Sequence, residues 1–105
     1  MKTQILMMTA LIALLASGSS SAADAKAAQD KARTLCAGCH GPTGISTNPL
    51  WPNLAGQKDQ YLEKTLLEYK SGQRADPNMA ALAQTLSDEE IANLAAYYAA
   101  LPAGG

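Results

Sequence analysis

The chain has no phenylalanine, one tryptophan, one histidine and two cysteines in 105 residues. With no phenylalanine and many alanines, its side chains fill little interior volume. A domain this small then depends on a staple such as a metal, a disulfide or a large cofactor. Cys36 and Cys39 sit in one short motif, so a long-range disulfide is excluded. Cys36, Cys39 and His40 crowd together with no matching second pair, which argues against a closed zinc site. No run of β-branched residues reaches strand length, so a dithiol oxidoreductase would lack its βαβ scaffold. An excess of basic charge is also missing: 8 Lys and Arg stand against 9 Asp and Glu, a net charge of −1. That balance excludes the basic face needed to bind nucleic acid.

What is present begins with a short basic start, Met1-Lys2, then an almost wholly apolar run from Ile5 to Ala16, then small polar residues to Ala23. This is the layout of a secretory signal peptide. The apolar run is too short to span a bilayer comfortably, and no second one follows, so the mature form is not expected to span a membrane. Cleavage after Ala23, with Ala22 or Ala25 as alternatives, gives a signal segment of residues 1–23 and one domain of residues 24–105. The expected location is the periplasm. In an oxidising compartment Cys36 and Cys39 would pair with each other if nothing else took their thiols.

Cys36-Ala37-Gly38-Cys39-His40 offers something else that could take them. C-x-x-C-H is the attachment pattern of c-type haem. Two thiols three positions apart can each form a thioether to a porphyrin vinyl group, and the following imidazole can bind the iron. A large apolar cofactor would also supply the missing core.

The periodicity around this motif is helical throughout, giving an all-α fold. Asp24–Leu35 reads as a helix capped by Asp24, with Ala25, Ala28, Ala32 and Leu35 on one narrow face. Asp59–Ser71 reads as a second, with Leu62, Thr65, Leu66 and Tyr69 inward and Gly72 just past its end. Ser87-Asp88-Glu89-Glu90 is a capping box opening a third, which carries Ile91, Leu94, Ala95, Tyr98 and Leu101 on one face and stops at Pro102. Gly41 to Gly56 is a loop by composition. A metal-bound histidine usually donates its other N–H to a fixed acceptor, and the Pro52 carbonyl is the expected partner of His40, with Pro49 in reserve. Met79 is the only methionine left after signal removal, and its thioether is a soft ligand suited to the iron face opposite His40. Arg74 is a candidate to pair with a haem propionate.

The stretches CAGCHGPTG, WPNLAGQ, YLEKTLLEYKSGQR, Met79 and LSDEEIANLAAYYAAL resemble the class I c-type cytochromes. The likeness is greatest to the small monohaem cytochrome c-553 group and to one lobe of the related dihaem proteins. It implies three main helices around one haem c with its iron, the first and last helices crossing, and single-electron transport. It assigns Cys36 and Cys39 to the thioethers, His40 and Met79 to the iron, the Pro52 carbonyl to His40, and Leu54 to the ring. Many members carry a glycine where the helices cross, but none lies between Asp24 and Leu35, so Ala28 or Ala32 must allow the approach. The expected protein is a monomeric carrier, not an enzyme, docking transiently with a redox donor and acceptor. The rival is a fixed haem subunit of a larger oxidoreductase. A peroxidase would need an open iron site and a distal acid–base group, and no second histidine is available.

Overall fold

The computed structural model describes residues 23–104, so all of the expected signal segment except Ala23 lies outside the described residues. Helices form α1 (Gln29–Lys31), a π-helical segment (Ala32–Cys36), α2 (Ala37–His40), α3 (Asp59–Ser71), α4 (Pro77–Gln84) and α5 (Asp88–Ala99). No strand occurs among the described residues. The fold is all-α, as the periodicity requires.

The N-terminal helix differs from the sequence expectation in two ways. Regular winding begins only at Gln29, after turns over residues 25–28, and it continues through the haem motif to His40. The Asp24 carboxylate still caps the entry, accepting from the Lys26 and Ala27 amides at 3.0 and 3.2 Å. Between Ala32 and Cys36 the winding widens to the i→i+5 pattern. A wider turn rotates each following side chain back around the axis. Ala28 and Ala32 stay buried, Cys36 takes the next inward position, and Leu35, expected on that face, turns outward.

α3 and α5 follow the sequence reading closely. Gly72 ends α3 in the left-handed region. The Ser87 hydroxyl accepts from the Glu90 amide, and the Glu90 carboxylate accepts from the Ser87 amide, which closes the capping box at the start of α5. The helix α4 is a fourth main element, beyond the three read from the sequence. Asp76 caps it by accepting from the Asn78 and Met79 amides at 3.0 Å each, and Pro77 occupies its first turn. Aspartate followed by proline is itself a helix-start signal.

The core joins Ala28, Ala32, Leu62, Leu86, Ile91, Leu94, Ala95 and Tyr98. Ala28 and Ala32 thus stand where the N-terminal helix meets α5, and their single methyl groups let the two backbones approach in place of glycine. A Lys31–Glu90 ion pair ties the same two elements at their surface. Gly41, at φ +85°, turns the chain sharply after His40 into the loop, and a Cβ there would collide with the Ile45 backbone. That turn lets residues 41–56 fold back over the haem motif.

Candidate haem site

α2 carries Cys39 and His40 on the last turns before Gly41, and the π segment delivers Cys36. The loop brings Pro52 and Leu54 alongside, α3 contributes one wall, and the start of α4 places Met79 on another. Together they enclose a cavity of about 380 Å³, within the ordinary range for small-molecule sites. Cys36, Cys39, His40, Pro52, Leu54, Arg74 and Met79 all line it. The sequence scatters these seven side chains over 44 positions, and the fold gathers them around one space.

His40 is buried, and its Nδ1 lies 2.8 Å from the Pro52 carbonyl oxygen. A carbonyl can only accept, so Nδ1 carries the proton. In the neutral ring Nε2 then keeps its lone pair and is free to act as a ligand. Cys36 and Tyr98 are neighbours on the inner wall. Burial pushes the Cys36 thiol up, partly offset by the neighbouring Tyr98 hydroxyl. The Tyr98 hydroxyl is pushed well above the usual phenol range, first by burial and then by Cys36. Cys39 is exposed. Arg74 lies with its guanidinium 5.5 Å from the centre of the Tyr69 ring, which holds the cation at the cavity margin.

These walls fit a haem. Two thiols, an imidazole and a thioether face a largely apolar space, which is a donor set for a soft-ligated iron in a porphyrin rather than for a hydrated cation. The Thr65 hydroxyl oxygen on the α3 wall is buried without a hydrogen-bond partner, as a wall does when it is shaped around a guest. Thr65 was legible as an inward residue of α3, and Tyr98 of α5, but neither was expected at the cofactor site. Asn53 and Ser46 were not singled out at all. Their signal is the polar spacing of the loop, which has meaning only once the loop is folded.

A helical chain that gathers two thiols, an imidazole and a thioether around one apolar cavity has the build of a c-type cytochrome. Comparison with known proteins agrees. The family described as "Cytochrome C oxidase, cbb3-type, subunit III" matches residues 23–97. The chain is 46% identical over 79 residues to cytochrome c4 of Thiocapsa roseopersicina, covering 75% of this chain and 41% of that protein. It is 49% identical over 80 residues to cytochrome c-554(548) of Halomonas halodenitrificans, covering 73% of this chain and 95% of that protein. The structure of cytochrome c4 from Acidithiobacillus ferrooxidans superposes with a TM-score of 0.71 at 27% identity, over 81% of this chain and 54% of that one. The chain therefore spans about two fifths of the matched Thiocapsa cytochrome c4 but nearly all of cytochrome c-554(548). The chain belongs to the matched family and is a class I c-type cytochrome with covalently bound haem c and its iron.

Proposed function

We propose that this cytochrome is an exported, periplasmic single-electron carrier whose haem is joined to Cys36 and Cys39 and ligated by His40 and Met79. The observation that carries the reading is the His40–Pro52 hydrogen bond at 2.8 Å, which commits the ring to one tautomer, with Met79 on the wall of the same cavity. The bound haem supplies the Fe(II)/Fe(III) couple. His40 supplies a basic nitrogen whose orientation the Pro52 carbonyl fixes. Met79 supplies a thioether, which favours Fe(II) and raises the potential. Apolar walls from α3 and α5 exclude water and disfavour the extra positive charge of Fe(III). Arg74 sits where it could meet a propionate. Export rests on the layout of residues 1–23. Among the described residues no helix is long and apolar enough to cross a membrane.

The exposed apolar side chains suit brief encounters with partners. Leu35, Leu50, Trp51 and Tyr61 are exposed and all line the same cavity, so they form a small apolar ring at its mouth. Redox encounters use contacts of this limited extent. A near-neutral to acidic chain would dock on a neutral or basic patch.

The second reading is a haem subunit of a larger oxidoreductase, and the description of the matched family, an oxidase subunit, favours it. A lasting subunit would present a contiguous apolar face beyond the mouth. Of the exposed large apolar side chains among the described residues, only Leu67 lies away from the mouth, so the carrier is the better reading.

Met79→Ala tests the ligand assignment. It should keep the haem attached, lower the reduction potential and open the iron to external ligands such as imidazole or cyanide. An unchanged potential with no new ligand binding would remove Met79 from the iron.

A further inference from the structure

The loop that supplies the Pro52 carbonyl is held weakly by burial. Trp51, Pro52 and Asn53 are all exposed. Packing therefore does not fix where that carbonyl points, yet His40 requires it at hydrogen-bond distance. Hydrogen bonds do the fixing. The Asn53 side-chain oxygen accepts from the Ser46 amide at 2.7 Å. The Ser46 hydroxyl in turn lies 3.2 Å from the Cys39 carbonyl and 2.9 Å from the Asn48 carbonyl. Cys39 is bonded to His40, and His40 donates to Pro52. The contacts close a circuit: His40, Pro52, Asn53, Ser46, Cys39 and back to His40. All five links are a hydrogen bond or a peptide bond, and the Asn53 side chain is the one in this circuit that joins the two arms of the loop.

We infer that Asn53 is a positioning residue for the His40 imidazole, holding the Pro52 carbonyl where the ring can donate to it. A metal-bound histidine is tuned by such an outer partner, which fixes the ring and raises its basicity. The Leu54 and Ala55 amides, bonded to the Gly44 carbonyl at 2.8 and 3.1 Å, anchor the chain just beyond this point. The Trp51 amide, bonded to the Asn48 carbonyl at 3.1 Å, anchors it just before. Between these two anchors the Asn53 side chain is the tie nearest the Pro52 carbonyl. The inference uses the axial role of His40 only for the expected change in potential.

Solvent exchange of the His40 Nδ1 proton, followed by NMR in the reduced holoprotein, tests this directly. In the wild type the Ser46 amide and the His40 ring proton should exchange through one shared local opening, well before global unfolding. A ring proton released only by global unfolding, with a Ser46 amide that exchanges much sooner, would overturn the inference without any variant. Asn53→Ala should speed exchange of both protons by about fivefold, the factor expected for one lost hydrogen bond of ordinary strength. Asn53→Asp keeps an acceptor and should restore the wild-type exchange. An Asn53→Ala ring proton that exchanges as in the wild type, or an Asn53→Asp one as fast as in Asn53→Ala, would overturn it.

The potential separates positioning from mere loosening. A weaker donation from Nδ1 makes the ring a poorer donor to Fe(III), so Asn53→Ala should raise the potential. Loosening that admits water would stabilise Fe(III) and lower it, and a lowered potential counts against the inference. Faster ring exchange with an unchanged potential would support the positioning of His40 while removing His40 from the iron.

Discussion

Cys36 and Cys39 are chemically equivalent in the sequence and unlike in the fold. Cys36 is partly buried and packed against the core beside Tyr98, whereas Cys39 is exposed. The haem-binding motif was legible because thioether chemistry needs two thiols and an imidazole at fixed spacing. The Pro52 partner was legible too, because a ligating histidine needs an acceptor and a proline-stiffened loop offers one. Asn53 and Tyr98 were not, since an asparagine in a polar loop and a tyrosine on a core face carry no pattern of their own. On the proposal that both sulfurs anchor the cofactor, Cys36→Ala or Cys39→Ala should leave little stable holoprotein, measured as covalent haem per polypeptide by absorbance and intact mass. Full haem content in either variant would show that its thioether is dispensable.

At the scale of the helices, α3 and α5 were fully readable. Each has an apolar face at helical spacing and a stop signal, α5 adds a capping box, and these signals agree. The start of the chain was less readable because a π-helical segment breaks the period. Burying Cys36 in place of Leu35 depends on tertiary contact with Tyr98, which no local propensity encodes. The helix α4 was hidden for a different reason: at eight residues it is too short for an apolar period to show. The α5 cap also couples elements. Glu90 closes its own capping box and pairs with Lys31 of α1. Lys31 and the Ser87 amide hold the Glu90 carboxyl below its ordinary value of 4.5. A lowered carboxylate stabilises the fold fully above its ordinary pKa, and that contribution is lost as pH falls through the lowered one. Glu90→Gln can still complete the capping box. It should therefore lower stability modestly at neutral pH and flatten the loss of stability on acidification below about pH 4.5, as followed by denaturant unfolding. An acid limb as steep as in the wild type would place that sensitivity elsewhere.

For the whole molecule, the sequence's shortage of large apolar side chains and the cavity at the centre of the fold are one fact seen twice. The described residues bury alanines, leucines and one isoleucine around a space bordered by Thr65, whose hydroxyl finds no partner among them. The haem completes the core, and the same burial sets its electronic surroundings. Alanine at the helix crossing was anticipated from the missing glycine, and Ala28 and Ala32 do occupy it. The docking partners lie beyond what the fold defines, because a small apolar ring at the cavity mouth suits many surfaces.

With His40 and Met79 both bound, as proposed, the protein itself would fill both faces of the iron, so that the cytochrome carries electrons and binds no substrate there. The optical spectrum of the reduced wild-type protein before and after addition of carbon monoxide tests it most directly. The expected result is a low-spin spectrum that carbon monoxide leaves unchanged at neutral pH. Prompt conversion to a carbon monoxide adduct would contradict it, showing that Met79 leaves the iron open.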